Sequence, residues 1–189
     1  ASRRGDVRFD WSDRATWAGA LDGVERVYLM APHELPVDPD FLAEAVARGV
    51  RRLVLLSTRG VVEMGDERLL AAERLVRESG VGWTVLRPDW FDQNFDEGFF
   101  RPAVLAGELV LPLGGKKQAF VDADDIAAVA AAALTEDGHE GRTYEVTGPE
   151  SLSFPQALDV LARITGRRIA FRGTPDDYRA VMPAELAEE

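Results

Sequence analysis

Cysteine is absent from the 189 residues, which removes disulfides, thiolate metal ligands and cysteine nucleophiles together. Histidine is scarce: only His33 and His139 occur, far apart in sequence, so a zinc site has no imidazole set to build on. Basic residues are outnumbered, 22 against 33 acidic, and the net charge of -11 with a pI near 4.7 argues against nucleic acid, which needs a positive footprint. The same deficit argues against an anionic membrane surface. Long apolar runs are missing too. The longest, IAAVAAAAL, is too short to span a bilayer, and the sequence opens without a hydrophobic signal segment, so the expectation is a cytoplasmic protein. Lysine numbers two against 20 arginines beside abundant alanine, a compositional bias without functional content.

What is present suits one domain with a substantial core, at 46% hydrophobic content. Strand-like and helical stretches alternate without repeats or linkers, the pattern of an α/β fold. Val7 to Asp10 reads as a short strand, Ser12 to Leu21 as a helix ending at Asp22-Gly23, and Val24 to Ala31 as a strand. The loop HELPVDP, mobile or ligand-covering by position, precedes a helix from Pro39 to Arg48 that Gly49 stops. Ser153 is expected to cap a helix with Pro155 in its first turn. The most informative stretch runs from Arg51 to Phe95. Arg51 to Leu56 ends in a solid apolar run, as a strand buried on both faces does, with Ser57 and Thr58 at its carboxyl end. Glu67 to Glu78 carries Leu69, Leu70, Ala72, Leu75 and Val76 at helical spacing and exits at Ser79-Gly80. Trp83 to Leu86 is the next strand, closed by Arg87-Pro88. In an open parallel sheet ligands lie beyond the carboxyl ends of the strands, which puts Ser57, Thr58 and the Pro88 to Asn94 loop at one crevice.

The order W-T-x-L-R-P (Trp83 to Pro88) then W-F-x-x-N-F (Trp90 to Phe95) resembles the NmrA-like, atypical branch of the short-chain dehydrogenase/reductase superfamily. Similarity continues through FVDADDIAAVAAAAL (Phe120 to Leu134), GRTYEVTGPESLSF (Gly141 to Phe154) and ALDVLARITGRRIAFRG, covering nearly the whole chain. The resemblance implies a Rossmann-like, doubly wound parallel sheet binding NADP or NAD. It implies a reductase of quinone-like or other conjugated acceptors, or alternatively a non-catalytic sensor of the cofactor. Substrate-side elements are expected mainly at 91–118 and 150–189 of a single domain. A small-molecule acceptor is the expected partner, and a homodimer is left open. The family's first β-α-β unit, with its G-x-x-G-x-x-G turn, has no counterpart here, so the chain reads as a fragment. Gly114-Gly115 reads as a turn, because it lacks the strand-before, helix-after context of a phosphate loop.

Site residues follow from the same resemblance. Arg3 and Arg4 stand where relatives hold the adenosine 2′-phosphate; two guanidinium forks suit that dianion and favour NADP over NAD. The other reading is a pair of solvated arginines. Asp10 and Trp11 match an Asp-hydrophobic pair that holds the adenine amino group and covers its ring, although a helix-start carboxylate beside a core Trp fits equally. Met30, Ala31 and Pro32 match the strand exit beneath the cofactor ribose, and Pro88 the next exit on that edge. Ser57 and Thr58 occupy the place of the superfamily's catalytic serine. Trp90, Phe91 and Asn94 are the acceptor-binding candidates, with plain core as the alternative for the aromatics.

One departure matters most. The superfamily's Tyr-x-x-x-Lys pair would fall at Gly65 and Leu69, neither of which titrates, so the usual proton relay to an alkoxide is missing. A conjugated acceptor tolerates that loss and an isolated carbonyl does not. Asp122, Asp124 and Asp125 read as caps of a helix start rather than a metal site. Glu73 reads as a solvated or ion-paired helix face, and His33 as a solvated loop residue, with a proton-donor role as the alternative.

Overall fold

The computed structural model describes residues 7–32 and 35–181, and the chain divides into two compact units: 1–88 with 125–146, and 89–124 with 147–189. The substrate-side segments expected from sequence, 91–118 and 150–189, fall inside the second.

The first unit is built on a parallel sheet of four strands. After a short helix α1 (Trp17–Ala20), β1 (Arg26–Met30), α2 (Pro39–Ala47), β2 (Arg52–Leu56), α3 (Glu67–Arg77) and β3 (Gly82–Pro88) follow one another. The order across the sheet is β1-β2-β3 and then β6 (Arg142–Val146), which arrives after α5 (Ala123–Thr135). Met30, Leu56 and Leu86 stand level in the register, so all strands deliver their carboxyl ends to the same edge. Leu53, Val54 and Leu55 are each fully buried, as the apolar run predicts for a strand covered on both faces. Leu29, Leu53, Leu55 and Val85 pack with Phe41, Leu42 and Ala45 of α2 and Ala72 and Val76 of α3.

Two expectations need correction. Val7 to Asp10 forms no strand. A strand exists only through a ladder, and among the described residues no strand lies beside this segment or on the outer edge of β1. Its side chains nonetheless pack, with Phe9 and Trp11 set against Phe41 at 5.5 and 4.9 Å between ring centroids. The single helix expected from Ser12 to Leu21 is a 3-10 turn at Arg14–Thr16 followed by the four residues of α1. Thr16 explains the interruption: its hydroxyl donates to the Asp13 carbonyl at 2.6 Å and accepts from the Asp10 amide at 3.0 Å, local bonds that compete with helix.

A side chain closes the opposite end of this sheet. Arg52 on β2, with 12% of its side chain exposed, donates to the Leu134 and Glu136 carbonyls at the end of α5 and to the Glu140 carboxylate. Those carbonyls have no helical partner, and a guanidinium there also suits the negative end of the helix dipole.

The second unit gathers α4 (Arg101–Ala106), β4 (Glu108–Val110), β5 (Lys117–Gln118), β7 (Leu152–Ser153), α6 (Phe154–Thr165), β8 (Ala170–Arg172) and α7 (Pro175–Val181). β4 pairs with β8 in parallel and β5 with β7 antiparallel. Its core is aromatic: Phe154, fully buried, meets Trp90, Phe100 and Phe120 edge-on at 5.1 to 5.6 Å. Ser153 caps α6 as expected, within a reciprocal capping box: its hydroxyl accepts from the Gln156 amide, and the Gln156 side chain accepts from the Ser153 amide. Gly148 is fixed by crowding. A Cβ there would sit 1.8 Å from the Phe120 carbonyl oxygen.

Candidate functional site

Unit 1 carries six of the expected cofactor positions, Asp10, Trp11, Met30, Ala31, Pro32 and Pro88. Asp10 ends the extended segment, and its Oδ1 accepts from the Ser12 amide at 2.9 Å and the Ser12 hydroxyl at 2.7 Å. Those two bonds hold its carboxyl below the ordinary aspartate range. Among the described residues Oδ2 receives no hydrogen bond. Trp11 and Pro32 line one hollow of about 410 Å³, whose remaining walls are Leu35, Pro36, Val37, Asp38 and Pro39. Residues 35–39 of the proline-punctuated loop therefore form a wall of the hollow. Met30, 56% exposed, and Ala31 lead from β1 toward it, and Arg68 of α3 holds the Pro32 carbonyl at 3.1 Å. Trp11 also packs on Phe9 and Phe41, with ring centroids 4.9 Å away in each case.

Ser57 and Thr58 part company at the end of β2. Successive strand residues face opposite ways, and Ser57 follows Leu53 and Leu55 toward α3. It is buried, and its hydroxyl donates to Glu73 Oε1 at 2.7 Å. Thr58 is half-exposed, and among the described residues its hydroxyl makes one long contact, 3.4 Å to the Arg59 carbonyl. Of the two expectations for Glu73, ion pairing holds and a solvated face does not, since its exposure is 0%. Its carboxylate accepts from Ser57, from Arg87 Nε at 2.9 Å and Nη2 at 2.7 Å, and from Arg77 at 2.8 Å. Burial pushes this carboxyl up, but the bonds from Arg87 and Ser57 and the charges of Arg87 and Arg77 outweigh it, leaving a lowered pKa. Arg77 also reaches the Thr143 hydroxyl of β6 at 3.3 Å. The cluster thus joins the ends of β2 and β3 to α3 and to β6. Pro88 ends β3, buried, with its carbonyl accepting from the Arg59 amide at 2.8 Å.

Unit 2 holds Trp90, Phe91 and Asn94. Asp89, a buried carboxylate, seats the start of the loop by accepting from the Trp90 amide at 2.8 Å and the Ala119 amide at 2.9 Å. Trp90 and Asp92 then exchange backbone bonds with Val121, and the Gln93 side chain links Asp122 and the Ala123 amide. Asp122 accepts from the Asp124 amide, the capping role expected at this helix start. Trp90 stacks on Phe100 at 5.4 Å and 25°. Phe95 and Phe100 are core; Phe91 and Asn94 are half-exposed. Among the described residues the Asn94 side-chain amide makes no hydrogen bond.

Arg3, Arg4 and His33 lie outside the described residues. Sequence reasoning missed Asp89 and the full burial of Glu73. The second had a signal: Glu73 falls four residues after Leu69 and three before Val76, on the apolar stripe of α3.

A parallel sheet with helical crossovers, an acidic-aromatic pair beside one strand end and hydroxyls at the next define an α/β dinucleotide-binding protein. The chain belongs to the NAD(P)H-binding family, whose profile matches residues 6–137. It is 40% identical over 174 residues to a (4-alkanoyl-5-oxo-2,5-dihydrofuran-3-yl)methyl phosphate reductase of Streptomyces griseus, covering 87% of this chain and 60% of that protein. It is 34% identical over 176 residues to the NAD(P)H azoreductase of Xenophilus azovorans, covering 88% and 59%. The chain therefore spans about three-fifths of the length of the curated relatives it matches. Among solved structures it is similar to the NADPH-dependent quinone oxidoreductase of Escherichia coli complexed with NADPH. There the TM-score is 0.77 at 27% identity, over 96% of this chain and 68% of that one. The fold is Rossmann-like.

Proposed function

We propose that the protein is an oxidoreductase that passes hydride from NADPH, or less readily NADH, to a quinone-like or otherwise conjugated acceptor. The observation that carries this reading is the side-chain chemistry at positions 65 and 69. Gly65 sits in a turn with φ of 64°, and Leu69 is buried at 9% exposure, so neither hands a proton to a substrate oxygen. A quinone ring accepts hydride through its conjugation, and the oxygen then takes its proton from water, giving a hydroquinone. The azoreductase and quinone oxidoreductase relatives support acceptors of this kind.

Residues of this chain would hold the adenosine end of the dinucleotide. The hollow beside Trp11 is large enough for an adenine ring, and Asp10, next to Trp11 in sequence, would accept from its amino group. Met30, Ala31 and Pro32 would run beneath the ribose, and Arg3 and Arg4 would hold a 2′-phosphate. When bound, the cofactor supplies the hydride. With the Ser57 proton held by Glu73, we assign Ser57 to positioning the end of β2 and Thr58 to the polar contact with nicotinamide. Trp90, Phe91 and Asn94 would contact the acceptor.

The missing Tyr and Lys also favour a second reading, a cofactor sensor without chemistry. One assay separates the two: loss of reduced-nicotinamide absorbance with a panel of quinones, azo dyes and simple ketones. Turnover of quinones with ketones untouched is the expected result. NADPH binding without turnover of any acceptor would favour the sensor.

A further inference from the structure

Phe99 has no place in the core and no slack that would explain its position outside it. Its neighbour Phe100 is 2% exposed and Phe95 is 7%, yet Phe99 is 65% exposed. The loop holding it is closed by backbone bonds from the Gly98 amide to the Gln93 carbonyl at 2.7 Å and from the Phe100 amide to the Asn94 carbonyl at 2.9 Å. Closure is so tight that a Cβ on Gly98 would lie 2.8 Å from Asn94 Cα. The outward ring is therefore built in by its neighbours. It lies 4.2 Å from the Phe100 ring and 6.0 Å from the Trp90 ring, and Trp90 in turn stacks on Phe100.

We infer that Phe99, with the exposed part of Trp90, is the surface on which a flat, neutral or cationic conjugated ring docks, and that Phe99 sets the preference for fused over single rings. The inference rests on the oxidoreductase reading and gives its acceptor a class. Aromatic faces carry partial negative charge, which attracts an electron-poor quinoid ring, and a wider ring covers more of both side chains. Charge narrows the class further. Asp92, Asp96 and Glu97 outnumber the single cation near Phe99 in sequence, Arg101, which disfavours an anionic acceptor.

The test is equilibrium binding of menadione to the 189-residue chain without nucleotide, followed by tryptophan fluorescence. Phe99→Ala should weaken binding about tenfold, Phe99→Leu by less, and Phe99→Tyr should restore it. Because Phe99 is exposed, the melting temperature should hold across the three variants, so lost binding is not lost folding. Equal affinity of Phe99→Ala and the parent chain, or no binding by the parent chain, overturns the inference. Phe99-dependent binding, with NADPH bound but no acceptor reduced, supports it while overturning the oxidoreductase reading. Quinone turnover indifferent to Phe99→Ala does the reverse.

Discussion

The Ser57 hydroxyl hydrogen-bonds to Glu73 at 2.7 Å, so the serine at the end of β2 is part of a buried ionic cluster. Glu73 takes two bonds from Arg87 and one from Arg77 as well, an arrangement in which a charge without water is satisfied on both oxygens.

We predict that removing this carboxylate is costly. Glu73→Ala strands two guanidinium groups and should destabilise the fold by about 3–5 kcal/mol in urea titrations. Glu73→Gln keeps the shape and shows the charge. Since the folded-state pKa of Glu73 is lowered, its contribution is fully present above the ordinary glutamate value, about 4.3. It fades as pH falls through the lowered value. The stability gap between wild type and Glu73→Gln should therefore narrow from neutral pH toward acid. A gap that widens there would contradict the cluster.

Arg52 supports a second prediction. Arg52→Ala should cost roughly 1.5–3 kcal/mol, because α5 loses the donor to its last carbonyls. Arg52→Lys should recover only part of this, as a point charge cannot fork between carbonyls and the Glu140 carboxylate. Full recovery by lysine would show that charge alone matters.

Trp11→Ala should weaken NADPH and AMP alike, with Trp11→Phe intermediate. Stacking on a base is worth about 1–3 kcal/mol, or roughly fivefold to a hundredfold in Kd. Calorimetry at a temperature where each variant is folded would measure it. An unchanged Kd would leave Trp11 as a packing residue against Phe9 and Phe41.

Thr58→Val and Asn94→Ala should lower kcat for a quinone by about tenfold or more while shifting the NADPH Kd little, the mark of contacts realised in the transition state. Equal losses in kcat and nucleotide affinity would limit both residues to binding the cofactor.

Much of the fold was legible because it rests on local patterns. The β2-α3-β3 unit appears in the apolar run before Ser57 and the helical spacing from Leu69 to Val76, and the α6 cap in Ser153 and Gln156. The expected strand at Val7 to Asp10 failed because strands depend on partners that a window of residues does not contain. Position alone put Ser57 and Thr58 at one crevice; strand alternation sends their side chains opposite ways, and the partner that captures Ser57 lies sixteen residues on. Asp89 was illegible for the same reason, since its second partner, Ala119, comes from across the fold.

The aromatic cluster around Phe154 sets a timetable. Phe95, Phe100 and Phe120 leave the ribosome well before Phe154, the ring they close around, and β6 must be made in between. During synthesis the second unit's first segment waits with its rings uncovered while the first unit gains its last strand. That interval is when the nascent chain most needs shielding from aggregation.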